Sequence, residues 1–281
     1  MENKTIKSKK KGHRILVILL IVILLLVVTV AGLSYFREKA AGNLISKNLA
    51  EPLDGATSAM VTIDPGDGNL TLEKDASNEQ MLASGTLQYY EKIGVPLSSR
   101  SISNSISNFT LNAKGGQPWL KLPWSACNGG TDWLIRLNPA VLYDIAALTG
   151  GGNVKIDLTG LTVTHLAAET GGGNIEVFLP EKMTNLDVYA KTGAGKVTII
   201  VGSTITGSNT INASSGAGEV NVFLPKAIAV RVKVLQGNVN VDPELIKIEN
   251  AIYETIEYPN AMDKLEITVG SGAGKVNIII Q

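Results

Sequence analysis

Few residues in this 281-residue sequence have the types and spacing that chemistry requires. The two histidines are His13 and His165, and the one cysteine is Cys127. A Ser-His-Asp triad or a histidine metal site needs an imidazole among converging partners. His13 lies in a basic N-terminal tail, and His165 lies in a predicted strand over 163–169, where it reads as a structural side chain. One cysteine excludes an intrachain disulfide and a thiolate cluster. Asp144, Asp157 and Glu176 fall on or near successive predicted strands. Two such acids could flank a glycosidic bond, but solvated strand faces explain them more simply. The three tryptophans, Trp119, Trp124 and Trp133, sit within fifteen positions of one another. Clustered aromatics can stack sugars or anchor a partner. They can also cap the open end of a repeat, and the cap is the preferred reading.

The glycine runs are the other place to look for chemistry. Gly150-Gly151-Gly152-Asn153 and Gly171-Gly172-Gly173-Asn174 superficially suggest calcium-binding β-rolls. Those need an aspartate soon after the glycines and a nine-residue step, and neither is present. Phosphate-cradling loops need a particular glycine spacing between a strand and a helix, which is also missing. No cofactor and no metal are therefore expected, and no enzyme activity.

What the glycines do have is a period. Gly150-Gly151-Gly152 recurs as Gly171-Gly172-Gly173, then as Gly193-Ala194-Gly195, Gly216-Ala217-Gly218 and Gly272-Ala273-Gly274. The first three steps are 21, 22 and 23 residues. Each triplet precedes an alternating strand such as Val154-Lys155-Ile156. Gln236-Gly237-Asn238-Val239-Asn240-Val241 is a degenerate copy, and Gly66-Asp67-Gly68-Asn69-Leu70-Thr71-Leu72 a weak upstream relative. The pattern predicts an all-β, glycine-turn β-solenoid whose units are strand, tight turn, strand and corner. Val154, Ile156 and Leu158 should point inward, with Lys155 and Asp157 outward. The turn glycines are expected either to take positive φ or to leave no room for a Cβ. Phe178-Leu179-Pro180 and Phe223-Leu224-Pro225 should end strands at corners. The stretch between Val241 and Lys264 should loop out, and Ser101–Ser107 alternates like one half-buried strand. An antiparallel sandwich is the rival geometry.

An anchor should precede this body. Residues 15–33 are almost wholly Ile, Leu and Val, and 19 residues at about 1.5 Å each span roughly 28 Å, close to a bilayer core. Six of the 25 basic residues and one of the 25 acidic ones fall in 1–14, and none of either in 15–36. The rest of the chain therefore carries a net charge of −5, which argues against nucleic-acid binding. Basic residues before an uncharged run place the N-terminus in the cytoplasm and the body outside. The run is longer than a signal peptide's, so it should stay uncleaved. The expected organisation is a basic tail (1–14), a transmembrane helix (15–36), a stalk (37–55) of which residues 37–51 could extend the helix, stopping before Pro52, an N-terminal β segment (56–148) and the glycine-repeat solenoid (149–281).

The residues from Gly150 to Ile280 resemble the toast-rack domains of LiaF-like cell-wall-active-antibiotic response proteins and of adhesin-type domains of unknown function. Pro52-Leu53-Asp54-Gly55-Ala56, Gly66–Leu70, residues 82–85 and Trp133–Pro139 resemble the N-terminal toast-rack segment. The resemblance implies a right-handed, β-helix-like ladder in a bacterial envelope protein, and it brings no catalytic residues. LiaF-like members usually carry several membrane helices, whereas this sequence offers one. The expected role is contact with another envelope protein or a cell-wall polymer, in scaffolding or stress response. A polysaccharide-acting enzyme and a surface adhesin are the alternatives.

Overall fold

The computed structural model describes residues 19, 22–29, 42–76, 80–92, 94–113 and 131–281. The chain divides into two units. The first comprises Met1–Asn43 with Gln117–Gly129; its described helical residues are 19 and 22–29. Among the described residues no helix is long and apolar enough to cross a membrane. Most of the span expected at 15–36 lies outside them.

The second unit, Leu44–Gly116 with Gly130–Gln281, holds the strands. They are β1 (Leu44–Pro52), β2 (Ser58–Asp64), β3 (Asn69–Lys74), β4 (Met81–Tyr90), β5 (Pro96–Ser103), β6 (Ile106–Ala113) and β7 (Asp132–Leu137). Then come β8 (Leu142–Thr149), β9 (Val154–Asp157), β10 (Thr162–Thr170), β11 (Ile175–Phe178), β12 (Lys182–Thr184), β13 (Asp187–Thr192) and β14 (Val197–Ile200). The last are β15 (Thr204–Thr206), β16 (Ser208–Ser215), β17 (Val220–Leu224), β18 (Val230–Val241), β19 (Ile246–Glu249), β20 (Ile252–Glu254) and β21 (Lys264–Ile280). A rung is two arms joined at the glycine corner, and like arms stack in parallel. On the first face the order is β5-β6-β2-β8-β10-β13-β16-β21-β18-β20-β19. On the second it is β1-β4-β7-β3-β9-β11-β14-β17-β21-β18. Parallel β12 and β15 line one further corner.

Alternation makes this stacking stable. Val154, Ile156, Ile175, Val177, Val197, Ile199, Val220 and Val222 are all buried, and each meets its equivalent one rung away. Lys155 and Asp157 do lie on the outer surface. One rung cannot bury its apolar stripe alone, so the core exists only between rungs.

Several expectations need correction. The stretch 37–55 is not a helical stalk throughout, because Leu44–Pro52 is strand β1, paired antiparallel with β4. Those pairings tie one edge of β1 into the β unit. Ser101–Ser107 is a hairpin rather than one strand: Ser103 pairs with Ile106, and Asn104 and Ser105 both have positive φ. Two positive-φ residues make the mirror-image turn whose twist suits a two-residue hairpin. No boundary falls at 148/149, where β8 and β9 are arms of one rung. Residues 242–263 do not loop out. They form β19, β20 and a 3-10 turn at Tyr258–Asn260, and Leu245, Glu254 and Tyr258 are buried.

Rung order is the largest departure from sequence order. The rung 58–74 lies between 106–137 and 142–157, and β21 lies between β16/β17 and β18. At the N-terminal end the outermost strands β1 and β5 run antiparallel to their neighbours; at the C-terminal end β18 lies outside the later β21, and antiparallel β20 and β19 lie beyond its first-face part.

Candidate functional site

The glycine corners are the most repetitive surface of the ladder. Gly150, Gly171, Gly193, Gly216 and Gly272 form one column, and Gly152, Gly173, Gly195, Gly218 and Gly274 another. None of them has positive φ. Crowding explains them instead: a Cβ on Gly195 would lie 1.9 Å from the Gly173 carbonyl oxygen, and one on Gly193 would lie 2.3 Å from that of Gly171. The middle column is open. A Cβ on Gly151 or Gly172 meets nothing within 4 Å, which is why Ala194, Ala217 and Ala273 occur there. Gly172 therefore does not belong with the constrained turn residues.

A ladder of hydroxyls lies beneath the glycines, and the sequence reading missed it. Thr149, Thr170, Thr192, Ser215 and Ser271 are buried directly before each triplet. Thr192 Oγ1 donates to the Gly173 carbonyl at 2.7 Å and accepts from Gly195 N–H at 3.1 Å. Ser215 repeats this with Gly195 and Gly218, and Ser271 with Gly218 and Gly274. Each hydroxyl thus satisfies backbone groups of two rungs at a corner too tight for ordinary pairing. The signal was legible as Thr or Ser before every triplet. Beyond the glycines, Asn69, Asn153 and Asn174 each accept from the backbone N–H of the next rung.

The outward positions are chemically mixed. Asp144, His165 and Asp187 are neighbours in register on the first face, and His165 Nδ1 lies 3.2 Å from Asp187. Asp187 also accepts from Thr210 Oγ1. Asp157 and Glu176 lie on the second face, so the three acids singled out in the sequence do not converge. Glu176 pairs with Lys155, and Glu219 with Lys196, each at 3.7 Å. Such exposed pairs contribute about 0–1 kcal/mol. A shallow open groove of about 430 Å³ runs along the glycine edge, lined by Asp64, Leu148, Glu169 and Lys191. None of the described residues that line it is aromatic.

Trp133 is not a contact residue. It is buried within β7, and its Nε1 donates to the Gln88 carbonyl at 3.1 Å. Trp119, Trp124 and Cys127 lie outside the described residues.

The C-terminal end carries a polar cluster. Tyr258 lies beneath the Arg231 guanidinium and the Lys264 ammonium, 4.4 and 4.8 Å from its ring centre. Its hydroxyl donates to Glu266 at 2.6 Å, and Arg231 donates to the buried Glu254 at 2.6 Å. Burial, then the bond to Glu266, pushes the Tyr258 phenol from 10.0 up to about 12. The folded protein keeps this proton where the unfolded chain has lost it, so the phenol's contribution is full below pH 10 and is lost as pH rises towards 12. Buried Tyr143, bonded to the Asn138 carbonyl, is shifted in the same direction. Urea midpoints measured from pH 9 to 12 should therefore fall, and fall less steeply in Tyr258→Phe. Parallel curves for the two proteins would refute the assignment.

Over residues 40–200 the chain matches the family described as the N-terminal domain of toast_rack, DUF2154. A solved candidate cell adhesion protein from Clostridium sporogenes shares the fold, with a TM-score of 0.60 at 22% identity over 85% of this chain and 100% of that one. A candidate adhesin from Bacteroides fragilis gives 0.32 at 12% identity over 84% and 97%. A candidate lipid binding protein from Parabacteroides distasonis gives 0.32 at 9% over 85% and 97%. No curated protein matches the chain.

Proposed function

Since this chain belongs to the toast-rack family, we propose that it works by contact and not by turnover, as a stiff β-ladder anchored to the cell membrane and displayed outside the cytoplasm. One observation carries the reading. The positions that repeat from rung to rung are glycines, buried hydroxyls and buried Val, Ile and Leu, all of which build corners and core. The outward positions vary, running Lys155, Glu176, Thr198 and Asn221 down one column. A stacked array of this kind offers a long surface suited to an extended or membrane-bound partner. The partner classes are an envelope protein or a cell-wall polymer; adhesion to another cell is one form of such contact. The uncharged run at 15–36 behind a basic tail supports an anchor that raises the effective concentration of a membrane partner.

An export-dependent reporter fused after residue 281 should be active, and one that requires the cytoplasm silent; the reverse result would invert the orientation. Cross-linking of the full chain in intact membranes should trap one envelope protein or a wall fragment, and should cease when residues 1–36 are deleted and the body is secreted. If the purified full chain instead degrades a wall polymer, and one Asp or Glu substitution in the ladder abolishes that without unfolding it, the enzyme reading replaces contact.

A further inference from the structure

We propose that the C-terminal end of the ladder is a dimerisation edge, at which β18 pairs antiparallel with β18 of a second copy of this chain about a two-fold axis at Asn240. On the second face, residues 238–241 of β18 pair with β21 and have no strand on their other side among the described residues. The first-face part of the same strand, 231–233, is covered by β20. Residues 235–240 are exposed. Asp242 N–H donates to the Ile278 carbonyl at 2.9 Å. Alternation along a parallel ladder then directs Asn238 and Asn240 backbone groups at β21, and those of Val239 and Val241 at the open side.

Open edges are usually blunted by proline, charge, a bulge or a cover. The other outermost strands follow that rule. β1 carries Lys47, Glu51 and Pro52; β5 carries Pro96 and Arg100; β19 carries Lys247 and Glu249. Asn238-Val239-Asn240-Val241 contains no charge and no proline, so a second copy brings no like charges against it.

The edge is also complementary to itself. With Val239 opposite Val241 of the second copy, each such pair exchanges both backbone bonds, about four in all, and the two Asn240 residues meet in the close, non-hydrogen-bonded position. Val239 and Val241 align with the buried Val276 and Ile278, so apolar sides meet apolar sides. A one-residue slip would set valine against asparagine. A carboxamide ladder already runs to this edge: Asn277 Nδ2 donates to Asn221 Oδ1 at 2.6 Å, and Asn240 Nδ2 to Asn277 Oδ1 at 3.4 Å. Asn240 of the second copy continues it. Leu235, Ile246 and Ile248 are exposed at the same end, with 64%, 49% and 54% of their surface open. The proposal is independent of what the ladder contacts in the envelope.

The test uses the full chain in detergent with Cys127→Ser as background. Oxidation of Asn240→Cys with diamide should give a covalent dimer, while Thr198→Cys, in the same outward column of an interior rung, should stay monomeric. Sedimentation of the unmodified chain should show a monomer–dimer equilibrium, and Asn240→Lys, which sets two ammonium groups at the axis, should weaken it at least tenfold, with a melting temperature equal to that of the unmodified chain at dilutions where both are monomeric. A monomer at all concentrations, no Asn240→Cys cross-link, or an association indifferent to Asn240→Lys would overturn the proposal. So would cross-linking of Asn240→Cys to Asn48→Cys on β1, which would mean head-to-tail stacking.

Discussion

Gly195→Ala should destabilise the ladder by about 3 kcal/mol, the upper range for forcing extra atoms into a packed site, while Gly172→Ala should change stability by about 0.5 kcal/mol or less. The two substitutions add the same methyl group to similar turns. They differ in where it lands. At Gly195 it meets the Gly173 carbonyl oxygen at 1.9 Å, and that oxygen already accepts the buried Thr192 hydroxyl. Relief requires the two corners to separate, which stretches the hydroxyl ladder as well. At Gly172 the methyl group enters open space, at a place where three other rungs already carry alanine. Chemical denaturation midpoints of the two variants decide the matter. Equal losses would mean that the corner glycines serve backbone flexibility and not close approach.

The second large effect concerns β21. Ile267→Ala and Ile278→Ala should each cost about 2–5 kcal/mol, the range for emptying a packed core position. Both isoleucines are 1% exposed, and their strand has a rung on either side. Val239→Ala should cost less than about 1 kcal/mol, since that residue is 36% exposed in the outermost rung. Stacking in chain order would reverse this ranking. Residues 230–241 would then be interior and 264–280 the frayed terminus. A smaller loss for the β21 variants than for Val239→Ala, measured by the same denaturation, would refute the observed order.

How the ladder is closed was harder to read than how it repeats. Arg100 shows why. Nothing in the sequence around it suggests a clamp, yet it bonds Glu51 at 3.3 Å, Asp54 at 2.8 Å and Ser107 at 3.1 Å, joining β1, the turn after it and the β5–β6 hairpin. Tyr258 is a similar case, since it lies in a turn while its cations and carboxylate come from β18 and β21. The proposed dimer edge depends on the same kind of information: Asn-Val-Asn-Val resembles the interior rungs in sequence, and only its place at the end leaves one of its two sides without a strand among the described residues.

The sequence by itself determined the repeating unit. Glycine triplets at 21–23-residue steps, alternating Val and Ile, and the hydroxyl before each triplet are local facts, because a corner and a two-sided strand are built from consecutive residues. The absence of a triad spacing, a thiolate cluster or a phosphate loop was equally a matter of reading residues in order. Tertiary structure alone decided which rung stacks on which, that β21 enters between β17 and β18, and that Trp133 serves the core. The physical reason is that neighbouring rungs have nearly interchangeable edges. Their backbone bonds and apolar stripes fit many partners, so order is fixed by the ends, where hairpins, ion pairs and buried aromatics act between residues far apart in the chain.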